Sequence, residues 1–208
     1  MKSYGKLVAA LIGGWFLIAL TASALHLFVN DSNRVGYTVG LAALAPIVAF
    51  SLWFASSPSF RLYTLSLSPV TLTWIQSWRI LGFNFVLLHA YGMLPGIFAL
   101  PAGYGDMAIG ATAAFAAWKL ADSSHRNGFI LWQVLGLADL VMAVSLGTTA
   151  SLLTPQDPST GIMTVLPLSL MPTFFVPLLT IFHLICIAQA RGWKTSSQTN
   201  RTAAGAAA

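Results

Sequence analysis

Residues 74–110 read WIQSWRILGFNFVLLHAYGMLPGIFALPAGYGDMAIG. The stretch is almost wholly apolar, yet it carries Arg79, Asn84, His89 and Asp106 and is interrupted by Pro95, Gly96, Pro101 and Gly103. About 20 consecutive apolar residues make one helical membrane span. A charge at the centre of such a span costs roughly 2.5–3.5 kcal/mol on insertion scales, so each ionisable residue there needs a partner or a task. The fold is therefore read from the apolar runs, and the candidate function from the few polar residues inside them.

The rest of the chain has the same character. Its 208 residues are 57% hydrophobic and 7% charged, with a mean hydropathy of +0.77. An ordinary soluble domain carries about 25% charged residues, so that class is excluded. The apolar runs are continuous and twice the length of the alternating segments of about ten residues that form membrane β-strands. The predicted fold is all-α, a polytopic membrane protein built as a six-helix transmembrane bundle. Its spans are 7–29, 35–55, 69–94, 105–120, 128–150 and 163–189 in a domain of residues 1–194, followed by a disordered tail over 195–208. The first span has a rival reading as a signal peptide cleaved after Ala22-Ser23-Ala24, but the apolar run continues to Val29, which favours a retained helix. Ser57-Pro58 and Ser68-Pro69 each read as an N-cap followed by the first helical residue. Residues 94–103 are too rich in proline for a helix and too apolar for a solvated loop, so they are predicted to form a buried connector. Asp106 would then sit in the first turn of the next helix, where free amides and the helix dipole favour a carboxylate.

Orientation follows from the basic residues. With both termini cytoplasmic, Lys2, Lys6, Arg61, Lys119, Arg126, Arg191, Lys194 and Arg201 lie inside and only Arg34 outside. Trp53, Trp74, Trp118, Trp132 and Trp193 then fall near the inner interface. The net charge of +5 is dispersed over these flanks, which is topology control and not a phosphate-binding face. The expected partner is the lipid bilayer, with a homo-oligomer or larger membrane complex left open and no nucleic acid. The single cysteine, Cys186, excludes an intrachain disulfide. No glycine-rich phosphate loop, HExxH spacing or serine nucleophile elbow is present, so hydrolytic or nucleotide-driven chemistry has no motif here.

Depth along the spans groups the polar residues. At about 1.5 Å per residue, Arg79 and Asp139 lie roughly 8–16 Å from the inner ends of their spans and His183 about 12 Å. These three form one predicted layer, with Asp139 paired to Arg79 and His183 beside them. It is either an ion- or proton-coupling site with Asp139 as carrier, or a buried ion pair that fixes packing. Asn84, His89 and Asp106 form a second, outward cluster at greater depth. Asp106 there is either the cap of its helix or a ligand-contacting group. His26 and His89 could ligate a b-type haem, which needs an imidazole on each face of the iron. Pro172 and Pro177 withhold amides from the carbonyls of Leu168 and Thr173, and interrupted helices of this kind surround many transporter sites. The leading expectation is a small permease or ion/proton-coupled transporter. The alternative is a non-catalytic membrane subunit or scaffold whose buried charges serve packing, and a b-type haem protein and a lipid-modifying enzyme follow.

The segment LPAGYGDMAIG (100–110), followed by QVLGLADL (133–140) and PTFFVPLLTIFHL (172–184), resembles a group of bacterial multispanning membrane proteins of unassigned function. The resemblance covers the second half of the chain. It implies a bacterial inner-membrane setting and supplies no activity.

Overall fold

The computed structural model describes residues 2–29, 35–153 and 158–193. The expected tail over 195–208, the loop residues 30–34 and 154–157, and the cations Arg34, Lys194 and Arg201 lie outside the described residues. Those described form helices joined by turns, with no strand among them. In chain order the α-helices are α1 (Lys2–Ala24), α2 (Tyr37–Ser56), α3 (Pro58–Leu65), α4 (Pro69–Ile75), α5 (Phe83–Ala90), α6 (Gly96–Phe115), α7 (Arg126–Leu153) and α8 (Val176–Gly192). A 3₁₀ segment over Gln76–Gly82 joins α4 to α5. A π-helical turn over Ala116–Leu120 ends α6, and another over Met171–Phe175 leads into α8.

Among the described residues, four helical runs are long and apolar enough to cross a membrane: Tyr4–Ala24, Tyr37–Ser56, Arg126–Leu153 and Met171–Gly192. Their outer faces are apolar, with Leu17, Ile18, Leu41, Leu52, Val141 and Leu152 all exposed. The hydroxyls of the exposed Ser51, Ser145 and Thr148 donate to carbonyls four residues back, so these groups are satisfied within their own helices in an apolar surrounding.

Both Ser-Pro pairs open helices. Ser57 accepts from the amide of Phe60 at 3.3 Å and Ser68 from that of Thr71 at 3.2 Å, with the prolines in the first turn. The end of α3 is closed from a distance, because Gln189 Nε2 on α8 donates to the carbonyls of Leu65 and Leu67 at 3.2 and 2.7 Å. Arg126, at the start of α7, donates to the carbonyls of Ala190 and Arg191 and closes the end of α8. Peripheral α1 is pinned by Trp15, whose indole N–H reaches the carbonyl of Thr173 at 3.2 Å and whose ring packs on Phe174. That carbonyl is one of those left without a helical partner by a proline. The carbonyl of Leu168 accepts from Met171 instead.

Two stretches differ from the sequence expectation. Residues 69–94 form no single α-helix: the 3₁₀ segment divides them. A 3₁₀ turn holds three residues, so positions three apart eclipse one another. Gln76, Arg79 and Gly82 are accordingly buried together, with Thr73 and Phe85 continuing the same face. The second difference concerns the proline-rich connector. Residues 96–103 are helical, α6 begins at Gly96, and Asp106 stands in its interior instead of its first turn. Pro95 is the N-cap residue, and Pro101, although inside the helix, removes only the bond to the carbonyl of Ile97 in the opening turns. The glycines here are packing positions. A Cβ on Gly103 would meet the carbonyl oxygen of Gly82 at 2.9 Å, and one on Gly110 would run into the backbone of Arg79 and Ile80. Glycine at both places lets α6 lie backbone to backbone against the 3₁₀ segment. Trp132 is buried, donating from Nε1 to Thr112 Oγ1 at 3.0 Å.

Candidate functional site

The face that the 3₁₀ segment turns inward carries Arg79 into the centre of the bundle. Its guanidinium meets three other elements. Nε donates to Asp106 Oδ1 on α6 at 2.7 Å. One terminal nitrogen donates to the carbonyl of Gly136 on α7 at 3.1 Å and to His183 Nε2 on α8 at 3.2 Å. The other terminal nitrogen pairs with Asp139 Oδ2 on α7. Asp139 Oδ1 is buried and meets no hydrogen-bonding partner among the described residues.

Glycines make this contact possible. Asp106 sits against Gly82, Asp139 against Gly105 and the imidazole of His183 against Gly136. A Cβ on any of these three would overlap the side chain opposite it. On α7, Gln133, Gly136 and Asp139 follow at three-residue intervals and share the buried face with Phe129, Trp132 and Leu140, the spacing of one side of an α-helix.

A chain of hydrogen bonds continues from Arg79 away from Asp106. His183 Nδ1 lies 2.6 Å from Gln133 Oε1, and Gln133 Nε2 donates to Thr73 Oγ1 at 2.9 Å. Thr73 Oγ1 stands 3.8 Å from Cys186 Sγ. With the amide of Gln133 so oriented, its oxygen must accept from Nδ1–H. Nε2 of His183 is then the acceptor for Arg79, and the imidazole is neutral. A proton on Nε2 would face the N–H of a cation, so His183 holds Arg79 in place and carries no charge itself.

The sequence separates Arg79, Asp139 and His183 from an outward trio of Asn84, His89 and Asp106. The structure brings Asp106 to Arg79 and leaves the other two apart. Asn84 Nδ2 donates back to the carbonyl of Leu81 at 2.8 Å. His89 Nδ1 lies 3.0 Å from the carbonyl of Leu94, and its ring packs on Gly96. His26 is exposed in the turn after α1, with φ at 57°. Among the described residues no three His, Cys, Asp or Glu side chains are grouped to hold a metal ion. Thr73, Gln76 and Gln133 are members of the buried network that sequence reasoning missed, and all three are fully buried. A signal did exist: two glutamines inside apolar spans are costly in the same way as charges.

A cavity of about 300 Å³ opens beside the cluster. It runs from Val35 and Tyr37 at the start of α2, past Thr160 and Met163, to Arg79 and Asp106. Its other walls are mainly apolar and aromatic, with Trp78, Phe85, Phe98 and Phe175 among them and hydroxyls at Tyr37, Thr148 and Thr160. The two carboxylates differ in their access to it. The Asp106 side chain is 16% exposed and lines the wall, whereas Asp139 is 9% exposed and lies behind the Arg79 guanidinium, itself 2% exposed.

Outside this centre, Asp122 and His125 form a surface turn between α6 and α7. Asp122 accepts from both the imidazole and the amide of His125, and these bonds hold its carboxyl below the usual carboxylate range.

Residues 34–191 match the profile of a family described as a domain of unknown function, DUF8737. No curated protein and no solved structure matches the chain.

Proposed function

The chain belongs to the DUF8737 family, whose function is unknown, and from its own geometry we propose that it is a small proton-coupled permease of a bacterial inner membrane. It crosses the bilayer six times with both termini in the cytoplasm. The four long apolar helices supply four spans, the helical run 69–90 and α6 supply two more, and the positive-inside count sets the orientation. In that orientation the cavity opens outward from the start of α2, and the hydrogen-bonded chain through His183, Gln133 and Thr73 leads inward.

One observation carries the reading. A single guanidinium beside a cavity holds two carboxylates from two different helices, and one of them, Asp106, lines the cavity wall. With both ionised and His183 neutral, the cluster carries a net negative charge in an apolar setting. That is costly unless a cation or a proton joins it. Asp139, with its unpaired Oδ1, is the proton carrier, Asp106 faces the solute, and Arg79 couples the two. Movement of Arg79 toward either carboxylate changes how well the other is held, and this is the differential interaction that alternating states require.

The test is reconstitution into liposomes containing a pH-sensitive dye, with an imposed pH gradient and a panel of cationic, neutral and anionic solutes. At least one solute class should dissipate the gradient, and Asp139→Asn should abolish that flux in correctly folded protein. A panel in which no class moves protons would remove the transport reading. It would leave the second one, a membrane scaffold, which the glycine-to-polar packing at Gly82, Gly105 and Gly136 favours.

A further inference from the structure

The cavity wall carries one charged side chain open to it, the carboxylate of Asp106, beside the neutral hydroxyls of Tyr37, Thr148 and Thr160. Arg79 is almost wholly buried, and each of its nitrogens already donates to a group of the protein. Asp106 is more open, and its Oδ1 alone receives Nε of Arg79. Among the described residues no second cation reaches either carboxylate. The walls around Asp106 are aromatic, and the faces of Trp78, Phe85, Phe98 and Phe175 attract positive charge. An anion entering here would meet Asp106 without a free guanidinium to receive it. An acyl chain would fill the apolar space and leave the negative charge uncompensated.

We infer that the cavity binds a small lipophilic organic cation, a protonated amine or quaternary ammonium on an apolar body, with its charged end at Asp106. The volume of about 300 Å³ stands at the lower end of ligand pockets, about 300–1,000 Å³, and fits one aromatic ring with its ammonium group. Its role as cargo rests on the permease reading above; the binding site itself does not. As cargo, one monovalent cation arriving at the cluster replaces one proton, which keeps the charge of the buried centre constant.

The test uses the full-length protein in nanodiscs of zwitterionic lipid. Radiolabelled benzyltrimethylammonium is bound by equilibrium dialysis, and neopentylbenzene, its neutral carbon isostere, is the competitor. Binding should saturate at one cation per chain, with the neutral isostere at least about tenfold weaker, the effect of one unscreened charge nearby. Asp106→Asn should weaken binding by a similar factor. Gly40→Phe should remove it by filling the cavity from α2, where an added Cβ meets nothing within 4 Å. Equal competition by the neutral isostere would overturn the site, and that comparison needs no variant to fold. Binding that survives both Asp106→Asn and Gly40→Phe would overturn it as well. Asp106-dependent cation binding without any solute-driven proton flux would uphold the site and refute the permease. Proton flux driven only by neutral or anionic solutes, with no cation bound, would do the reverse.

Discussion

Replacing Arg79 with glutamine should destabilise the protein far more than replacing either of its carboxylate partners with the amide. The asymmetry follows from the charge count. Arg79→Gln leaves two carboxylates facing each other in the centre of the bundle, with the carbonyl of Gly136 and Nε2 of His183 also deprived of their donor. Breaking a buried ion pair by removing one partner costs about 3–5 kcal/mol, and this removal strands two partners at once. Asp106→Asn instead leaves the Arg79–Asp139 pair charge-balanced and keeps an oxygen to accept from Nε, so its cost should be about 1 kcal/mol, that of an ordinary hydrogen bond. Asp139→Asn should fall between, because its new NH₂ takes the place of an Oδ1 pressed against Gly105 with nothing to bond. An unsatisfied buried donor costs about 1–3 kcal/mol. Reversible unfolding in mixed micelles with increasing denaturing detergent would give each free energy. The decisive sample is the triple variant Arg79→Gln/Asp106→Asn/Asp139→Asn, which should recover at least half of the loss caused by Arg79→Gln alone. If the triple variant is no more stable than Arg79→Gln, the guanidinium stabilises through packing and not through charge. Equal costs for Arg79→Gln and Asp106→Asn would refute the charge count directly.

Other substitutions probe the surrounding architecture. Gly110→Ala places a Cβ against the backbone of Arg79 and Ile80, which cannot give way as a side chain can. It should cost about 3 kcal/mol or prevent folding, whereas Gly14→Ala, with nothing within 4 Å, should change stability by less than about 1 kcal/mol; similar losses at both positions would contradict the close contact of α6. Trp15→Phe keeps the ring against Phe174 but removes the bond to the Thr173 carbonyl. The expected loss is about 1 kcal/mol, and increased protease access to α1 would report it. Asp122 titrates below the usual carboxylate range because His125 donates to it. Its contribution to the 122–125 turn is therefore present at neutral pH and lost as pH falls through that lowered value. The protection factor of the His125 amide, its exchange corrected for the intrinsic pH dependence, should fall on acidification, and Asp122→Asn should abolish that fall. A carboxyl titrating at the ordinary aspartate value by NMR would contradict it.

How much of this was readable from residues alone depends on which regularity each part obeys. α7 keeps strict α-helical spacing, so Asp139 and Gly136 could be placed on one face by counting. Arg79 and His183 could be put at the same level by depth, because their spans start from clear signals at Ser68-Pro69 and Arg191. Asp106 was assigned elsewhere for two reasons. The prolines and glycines of 95–105 read as breaks in a helix, yet Gly103 and Gly105 are small because Gly82 and Asp139 lie against them. Nothing in a single sequence distinguishes a glycine needed for a turn from one needed for a neighbour. Depth along a span also treats residues as points, while a guanidinium at the end of a long side chain spans the distance between two layers. The same limit hid Gln133 and Gln76, each of which has its partner more than fifty positions away.

The 3₁₀ segment links these observations. In an α-helix a step of three residues turns a side chain by about 300°, so each step moves about 60° off the previous position. Two such steps would carry Gly82 about 120° away from Gln76, and the three could not all face one neighbour. The tighter winding of 76–82 aligns Gln76, Arg79 and Gly82. Gln76 can then bond to the Leu179 carbonyl of α8, while Gly82 admits Asp106 of α6 and Arg79 reaches both helices as well as α7. Poorer hydrogen-bond geometry makes a long 3₁₀ run unfavourable on its own, so contacts with three helices must hold it. Arg79 supplies most of the hydrogen bonds, and Gly82 the close approach to α6. A cation or proton that weakens its grip on Asp106 or Asp139 would therefore loosen the winding itself, and relaxation toward α-helix would rotate Arg79 away from the cavity. On the permease reading, Arg79 would thus couple the two carboxylates from within an element whose winding rests on its own bonds.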